Sequence, residues 1–245
     1  KSKNIFSKVE TKITDGTDPN LKIIDLIVEE KPTGEITLGA GVGTDGSSIG
    51  GGIKENNFLG KGINLDTNVM ISDDSFKGKF TYLKPNFGYG DNDLFTSIES
   101  SSTDRLTESG YKTSNIGFSF GTRFEQYENL FFRPQLISDI EKLTTTSTAS
   151  TAVKKQEGNY FDINFAYSLD YDVRDKAYQP TDGFNSSFYQ NIPLVSQQNE
   201  IINGFEINKY KILMSDMVGK ISFYGRAANS ITGDDVRLSK RLWKY

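Results

Sequence analysis

Neither cysteine nor histidine occurs in the 245 residues of this chain. Their absence removes disulfides, thiolate nucleophiles, imidazole bases and the common zinc ligand sets, so most enzyme mechanisms lose their commonest base. Long apolar runs are also missing. The longest patches, Ile23-Ile24 and Leu26-Ile27-Val28, are interrupted by Asp25 and fall far short of the roughly 18 residues that carry a helix across a bilayer. No positive field exists to gather phosphates: the net charge is −4, the isoelectric point is near 5.1, and Lys and Arg are scattered, so nucleic acid is not an expected partner. The first residues, Lys1-Ser2-Lys3-Asn4-Ile5-Phe6, lack the apolar stretch of a secretory signal.

What is present favours β-structure. Apolar residues make up 36% and aromatics 12% of the chain, enough for a packed or membrane-facing surface and too much for disorder. Residues 6–14 and 21–30 read as two strands around the turn-forming run Asp15-Gly16-Thr17-Asp18-Pro19-Asn20. Beyond Pro32 the composition shifts to Gly, Ser, Thr and Asn with regularly spaced apolar residues, which places a domain boundary between residues 1–32 and 33–245.

The clearest pattern lies at 160–173, where Phe161, Ile163, Phe165, Tyr167, Leu169, Tyr171 and Val173 alternate with Tyr160, Asp162, Asn164, Ala166, Ser168, Asp170 and Asp172. Ordinary soluble strands average about 5–6 residues, whereas a tilted strand crossing a membrane needs about 10, so the length favours a membrane strand. Weaker alternation recurs around Ile116, Phe118 and Phe120, and around Ile63, Leu65, Val69 and Ile71. In a barrel that encloses water the polar face points inward and the apolar face outward, with the same period of two. Eleven strands are expected, at 34–43, 46–55, 63–71, 75–84, 93–102, 110–125, 129–142, 159–173, 183–191, 203–214 and 218–229. The short turns Asp45-Gly46, Tyr127-Glu128-Asn129 and Ser215-Asp216-Met217 are expected on one side of the membrane. The Thr/Ser-rich loop at 143–158 is expected on the other.

Four features together resemble one family. They are the junction Glu29-Glu30-Lys31-Pro32-Thr33-Gly34-Glu35, the Gly-rich strand that follows, the motif Asn57-Phe58-Leu59-Gly60-Lys61-Gly62, and Tyr171-Asp172-Val173-Arg174-Asp175 followed by Pro180-Thr181-Asp182-Gly183. The chain resembles the BamA-like outer-membrane β-barrel assembly factors, in a superfamily with TamA and two-partner secretion transporters. The resemblance implies an all-β fold: a transmembrane antiparallel β-barrel of sixteen strands, of which this chain holds about eleven, preceded by the C-terminal hairpin of the last POTRA module. Residues 236–243 resemble the start of the family's long sixth extracellular loop. The Arg-Gly signature of that loop does not follow, and this departure reads as truncation.

The resemblance further implies a lateral gate at the first barrel strand, Glu35, Ile36, Thr37, Leu38, Gly39, Ala40, Gly41, Val42 and Gly43. Glycines on one face leave little bulk to anchor this strand, so an incoming unfolded strand would pair with its exposed edge by β-augmentation. The motif Asn57, Phe58, Leu59, Gly60, Lys61, Gly62 is then a periplasmic turn, and Asp172, Arg174, Asp175, Pro180 and Gly183 form a structural turn. Asp170, Asp172, Arg174 and Asp175 read as solvated, mutually paired groups rather than an acid–base site. The implied function is folding and insertion of client barrels in the bacterial outer membrane. The expected partners are unfolded clients, accessory lipoproteins and the lipid bilayer, and no catalytic residue, cofactor or metal is expected. A TamA-like or two-partner secretion translocator, a passive porin-like barrel and a secreted β-rich adhesin are the alternatives.

Overall fold

The computed structural model describes residues 5–18, 20–43, 46–88, 90–214, 217–233 and 235–241. Two strands, β1 (Phe6–Asp15) and β2 (Lys22–Glu30), pair with each other as a separate hairpin. The remaining strands are β3 (Gly34–Gly43), β4 (Gly46–Phe58), β5 (Ile63–Ser72), β6 (Ser75–Lys84), β7 (Asp93–Arg105), β8 (Tyr111–Tyr127), β9 (Leu130–Thr145), β10 (Gly158–Asp172), β11 (Gly183–Val195), β12 (Glu200–Met214) and β13 (Met217–Ser230). These eleven form one antiparallel sheet in strict sequence order, each strand beside its chain neighbour. All eleven expected strands are present, and several run further than expected because backbone pairing continues, as in β9 to Thr145 opposite Tyr111 and β11 to Val195 opposite Ile163.

Direct cross-strand partners share a face, so the register alone traces a belt of outward side chains: Ile36 faces Ile53, Phe80 faces Ile98, Ile98 faces Phe118, and Ile140 faces both Ile116 and Phe161. The belt is open to the surroundings, with Leu38 at 87% and Val42 at 89% exposure, values that a water-soluble sheet would bury. Phe132, Tyr167 and Phe188 continue the belt as tilted rings at centroid distances of 5.9 and 6.1 Å, and Phe124 meets Phe132 edge-on at 5.7 Å. Such rings suit the boundary between hydrocarbon and headgroups. The opposite face carries Asp, Glu, Asn, Ser, Gly and Lys. No helix among the described residues is long and apolar enough to cross a membrane.

Strand direction sorts the connections into two ends. The β1–β2 hairpin shares its end with turns 59–62, 85–92, 128–129, 173–182 and the β12–β13 connection. The far end holds the β3–β4 connection and the connections 73–74, 106–110, 146–157 and 196–199, together with the start of the chain after β13. The expected segregation of short turns from the long loop therefore does not hold: the β3–β4 connection lies with 146–157, because β3 and β9 run in the same direction. Asp45, Ser215 and Asp216 themselves lie outside the described residues, as do Pro19 and 242–245. Segment 146–157 is also more ordered than its composition suggested. It contains a four-residue helix, α1 (Thr151–Lys154), whose Ser150 cap accepts the Val153 amide, and Ala149 and Gln156 within it are buried.

Candidate functional site

The expected gate strand is an edge. β3 pairs with β4 along its whole length, from Gly34 opposite Glu55 to Gly43 opposite Gly46, and has no second neighbour among the described residues. Its backbone donors and acceptors on that side are available to another strand. Ile36, Leu38 and Val42 point to the outer face, while Glu35, Thr37, Gly39, Gly41 and Gly43 line the inner one and Ala40 continues the outer stripe. A Cβ at Gly39 or Gly43 would meet nothing within 4 Å, so these glycines are not imposed by contact with the rest of the described chain. The β4 glycines differ: a side chain at Gly51 would press on Leu38 and the Thr37 carbonyl, and one at Gly52 on Asn68. Inside the edge lies a groove of about 690 Å³ lined by Gly39, Gly41, Gly50, Met70, Lys77, Lys79 and Glu99, where Lys79 and Glu99 pair at 3.2 Å.

The motif at 57–62 closes the β4–β5 connection and fastens the junction with the hairpin. Leu59, Gly60 and Gly62 all take positive φ, which two glycines make inexpensive. Asn57 holds the turn by accepting the Gly62 amide on its side chain at 2.7 Å and the Gly60 amide on its carbonyl at 2.9 Å. Phe58 ends β4 opposite Ile63, and the Lys61 amide donates to its carbonyl. Glu55 accepts the Asn57 amide and the Thr33 hydroxyl, and Asn56 donates to the Thr33 carbonyl at 3.2 Å. The turn and the linker after the hairpin are therefore one hydrogen-bonded unit, which the sequence showed only as two neighbouring motifs.

The turn 173–182 is self-contained. Arg174 donates twice to Asp172, at 2.8 and 2.6 Å. Asp175 accepts the Thr181 amide and hydroxyl and the Asp182 amide, and these bonds hold its carboxyl well below the ordinary value of 3.8. Gly183 sits at φ +93°, where a side chain would strike the Val173 carbonyl, and Pro180 follows Gln179 at φ +49°. Asp170 accepts Ser168 and Ser187 hydroxyls. Each carboxylate of this acidic run thus has a hydrogen-bond partner nearby. A depressed carboxylate pKa stabilises the fold above the unfolded value, and the contribution disappears as pH falls through the folded value. The Thr181 amide resonance, followed by NMR in micelles, should keep its position until pH drops well below 3.8 and then shift, whereas Asp175→Asn should abolish that step. A shift centred near 3.8 in the native protein would refute the assignment.

A third feature escaped the sequence reading. After β13 the chain turns back inside the wall and places Arg237 at 0% exposure among three inward carboxylates. Arg237 contacts Glu141 of β9 at 3.3 Å, Asp162 of β10 at 2.8 Å and Glu200 of β12 at 3.6 Å, and its amide donates to Glu200 at 2.9 Å. Its guanidinium lies 4.3 Å from the Tyr160 ring centre. Ser239 donates to Glu141, the Leu238 amide donates to Gln156, and Leu238 packs against Leu143 and Tyr160. Asp162 appeared in the alternation as one polar residue among many. Glu141 and Glu200 offered one usable signal: charged residues at inward positions near the far ends of their strands.

A concave antiparallel wall with a lipid-compatible outer belt, a polar inner face and charged groups folded into the interior defines a transmembrane β-barrel of the outer-membrane type. A family model for the Omp85 superfamily domain matches residues 57–241, and the chain belongs to the Omp85 superfamily. The fold is similar to that of BamA from Haemophilus ducreyi lacking POTRA domains 1–3, with a TM-score of 0.80 and 23% identity over 97% of this chain and 49% of that one. It is also similar to CdiB from Acinetobacter baumannii, with a TM-score of 0.53 and 13% identity over 93% of this chain and 45% of that one. The chain thus spans about half the length of either structure. Both matches agree with the expected antiparallel barrel fold.

Proposed function

We propose that this chain is part of an outer-membrane assembly factor that folds and inserts client β-barrel proteins through a lateral gate at β3. The observation that carries this reading is the character of β3, an edge strand among the described residues whose outer side chains suit lipid and whose inner face is largely glycine. An extended client segment would add to that edge through backbone hydrogen bonds, which give affinity without demanding a particular sequence. No covalent step, cofactor or metal is invoked, and no side chain acts as a catalyst. The β1–β2 hairpin is the end of a periplasmic POTRA module in this reading. The Thr33–Glu55–Asn56 contacts transmit its position to the barrel, and accessory lipoproteins would act from the same side.

A translocator of the TamA-like or two-partner secretion type is the second reading, supported by the weaker fold match to CdiB. The deciding experiment uses the full-length protein in proteoliposomes with an unfolded barrel client. A disulfide joining β3 to the strand that closes against its free edge should stop client insertion, reduction should restore it, and the barrel should remain folded throughout. Insertion that continues with the crosslink in place removes the gate.

A further inference from the structure

We infer that the outer face of β7–β10 carries, at its far end, a binding site for the phosphate of a lipid headgroup, centred on Lys142. This inference rests on the barrel fold and its lipid-facing belt and not on the assembly-factor reading. The four strands each have a sheet neighbour on both sides, so the floor of the site is complete within the described residues. Their register sets out three successive rows on the outer face. Ile116, Ile140 and Phe161 form the last apolar row, exposed at 59, 58 and 45%, with Ser100 at its β7 end. Two residues further along each strand, a step of about 7 Å, come Ser102, Ser114, Lys142 and Asn159. Asp104, Lys112 and Thr144 stand beyond them.

The middle row offers an ammonium, two hydroxyls and a side-chain amide, and no carboxylate. Among the described residues none of these four side chains makes a hydrogen bond or an ion pair, and Lys142 and Asn159 are exposed. The carboxylate of the outermost row cannot neutralise Lys142 cheaply, because Asp104 already takes Lys112 at 2.9 Å and the Leu106 amide at 3.2 Å. A row just past the last apolar side chains of a barrel lies at the level of the headgroups. There a lysine lays its methylenes along the apolar surface and holds its charge among phosphates, which form charge-assisted hydrogen bonds with it and with the hydroxyl and amide donors beside it. The apolar row below decides the occupant. Acyl chains of the same lipid cover Ile116, Ile140 and Phe161, whereas a free phosphate would leave them bare.

Native mass spectrometry of the full-length protein in micelles, titrated separately with diphosphorylated lipid A, phosphatidylglycerol and diacylglycerol, tests the site. Both phosphorylated lipids should bind about tenfold more tightly than diacylglycerol, and inorganic phosphate at the same concentration should displace neither. Lys142→Gln should weaken their binding about five- to tenfold, while Lys142→Arg should stay within about twofold of the wild type because it keeps the charge. Lys12→Gln removes the same charge from the β1–β2 hairpin and should change binding by less than about twofold. Diacylglycerol bound as tightly as the phosphorylated lipids overturns the inference, as does displacement by inorganic phosphate or an equal loss in Lys142→Gln and Lys12→Gln. If Lys142→Gln does not fold, Asn159→Ala decides: it removes one donor from the same row and should weaken binding about threefold, and unchanged binding overturns the site.

Discussion

Arg237→Met should lower the unfolding free energy by about 3–5 kcal/mol, the largest loss expected from any single substitution in this chain. The arginine is at 0% exposure and is the centre of an acidic cluster, so its removal leaves Glu141, Asp162 and Glu200 buried beside one another with no neutralising partner. The cost comes mainly from those stranded carboxylates and only partly from the lost attraction. A combined variant separates the two. Adding Glu141→Gln, Asp162→Asn and Glu200→Gln to Arg237→Met removes the uncompensated charge and should recover much of the loss, because a buried ionic group and a neutral replacement of similar shape are often close in stability. Urea unfolding of the refolded protein in micelles, followed by circular dichroism and by the mobility shift of the folded barrel on semi-native gels, measures both variants. A loss below about 1 kcal/mol for Arg237→Met would show that lumenal water screens the cluster as it screens a surface pair.

Phe118→Arg is the second large effect, expected at about 2–4 kcal/mol in a bilayer. Phe118 lies midway along β8, the longest strand, between Ile98 and Ser138 on the outer face, and is 48% exposed. In water that exposure would make the substitution nearly harmless. In lipid it places a guanidinium at the level of the hydrocarbon core, far from either headgroup layer. The control is Ser101→Glu, one face away and directly opposite Lys77, which should change stability by less than about 0.5 kcal/mol. Folding yields and urea midpoints in phosphatidylcholine vesicles decide between the environments: equal, small effects for both variants would mean that the outer belt does not face lipid and would remove the membrane assignment.

The two predictions address parts of the molecule that differ in how far the sequence revealed them. The outer belt was legible because face assignment in a strand depends only on position parity. Once Phe161, Ile163, Phe165 and Tyr167 alternate with polar residues, their common side follows from backbone geometry without knowledge of any neighbour. Turns were legible for a related reason. Gly60, Gly62 and Gly183 occupy positive-φ positions that few other residues tolerate, and the asparagine and aspartate beside them bond locally, at separations of five to seven residues for Asn57 with Gly62 and Asp175 with Thr181 and Asp182. The side on which each turn lies follows from strand direction, and the β3–β4 connection was misplaced because turns were sorted by length.

The sequence by itself determined which segments are strands, which face of each suits lipid, where the chain reverses, and the family to which these pieces belong. Only the tertiary structure decided what fills the interior. Arg237 meets Glu141 and Asp162 across separations of 96 and 75 residues, and no local pattern marks those partners, because inward carboxylates are common in a water-filled barrel and most remain solvated. Their selection depends on three strands curving round to present charges at one level and on a tail that turns inward instead of away. Both are properties of the assembled wall, set by long-range pairing and burial rather than by the order of residues along any single strand.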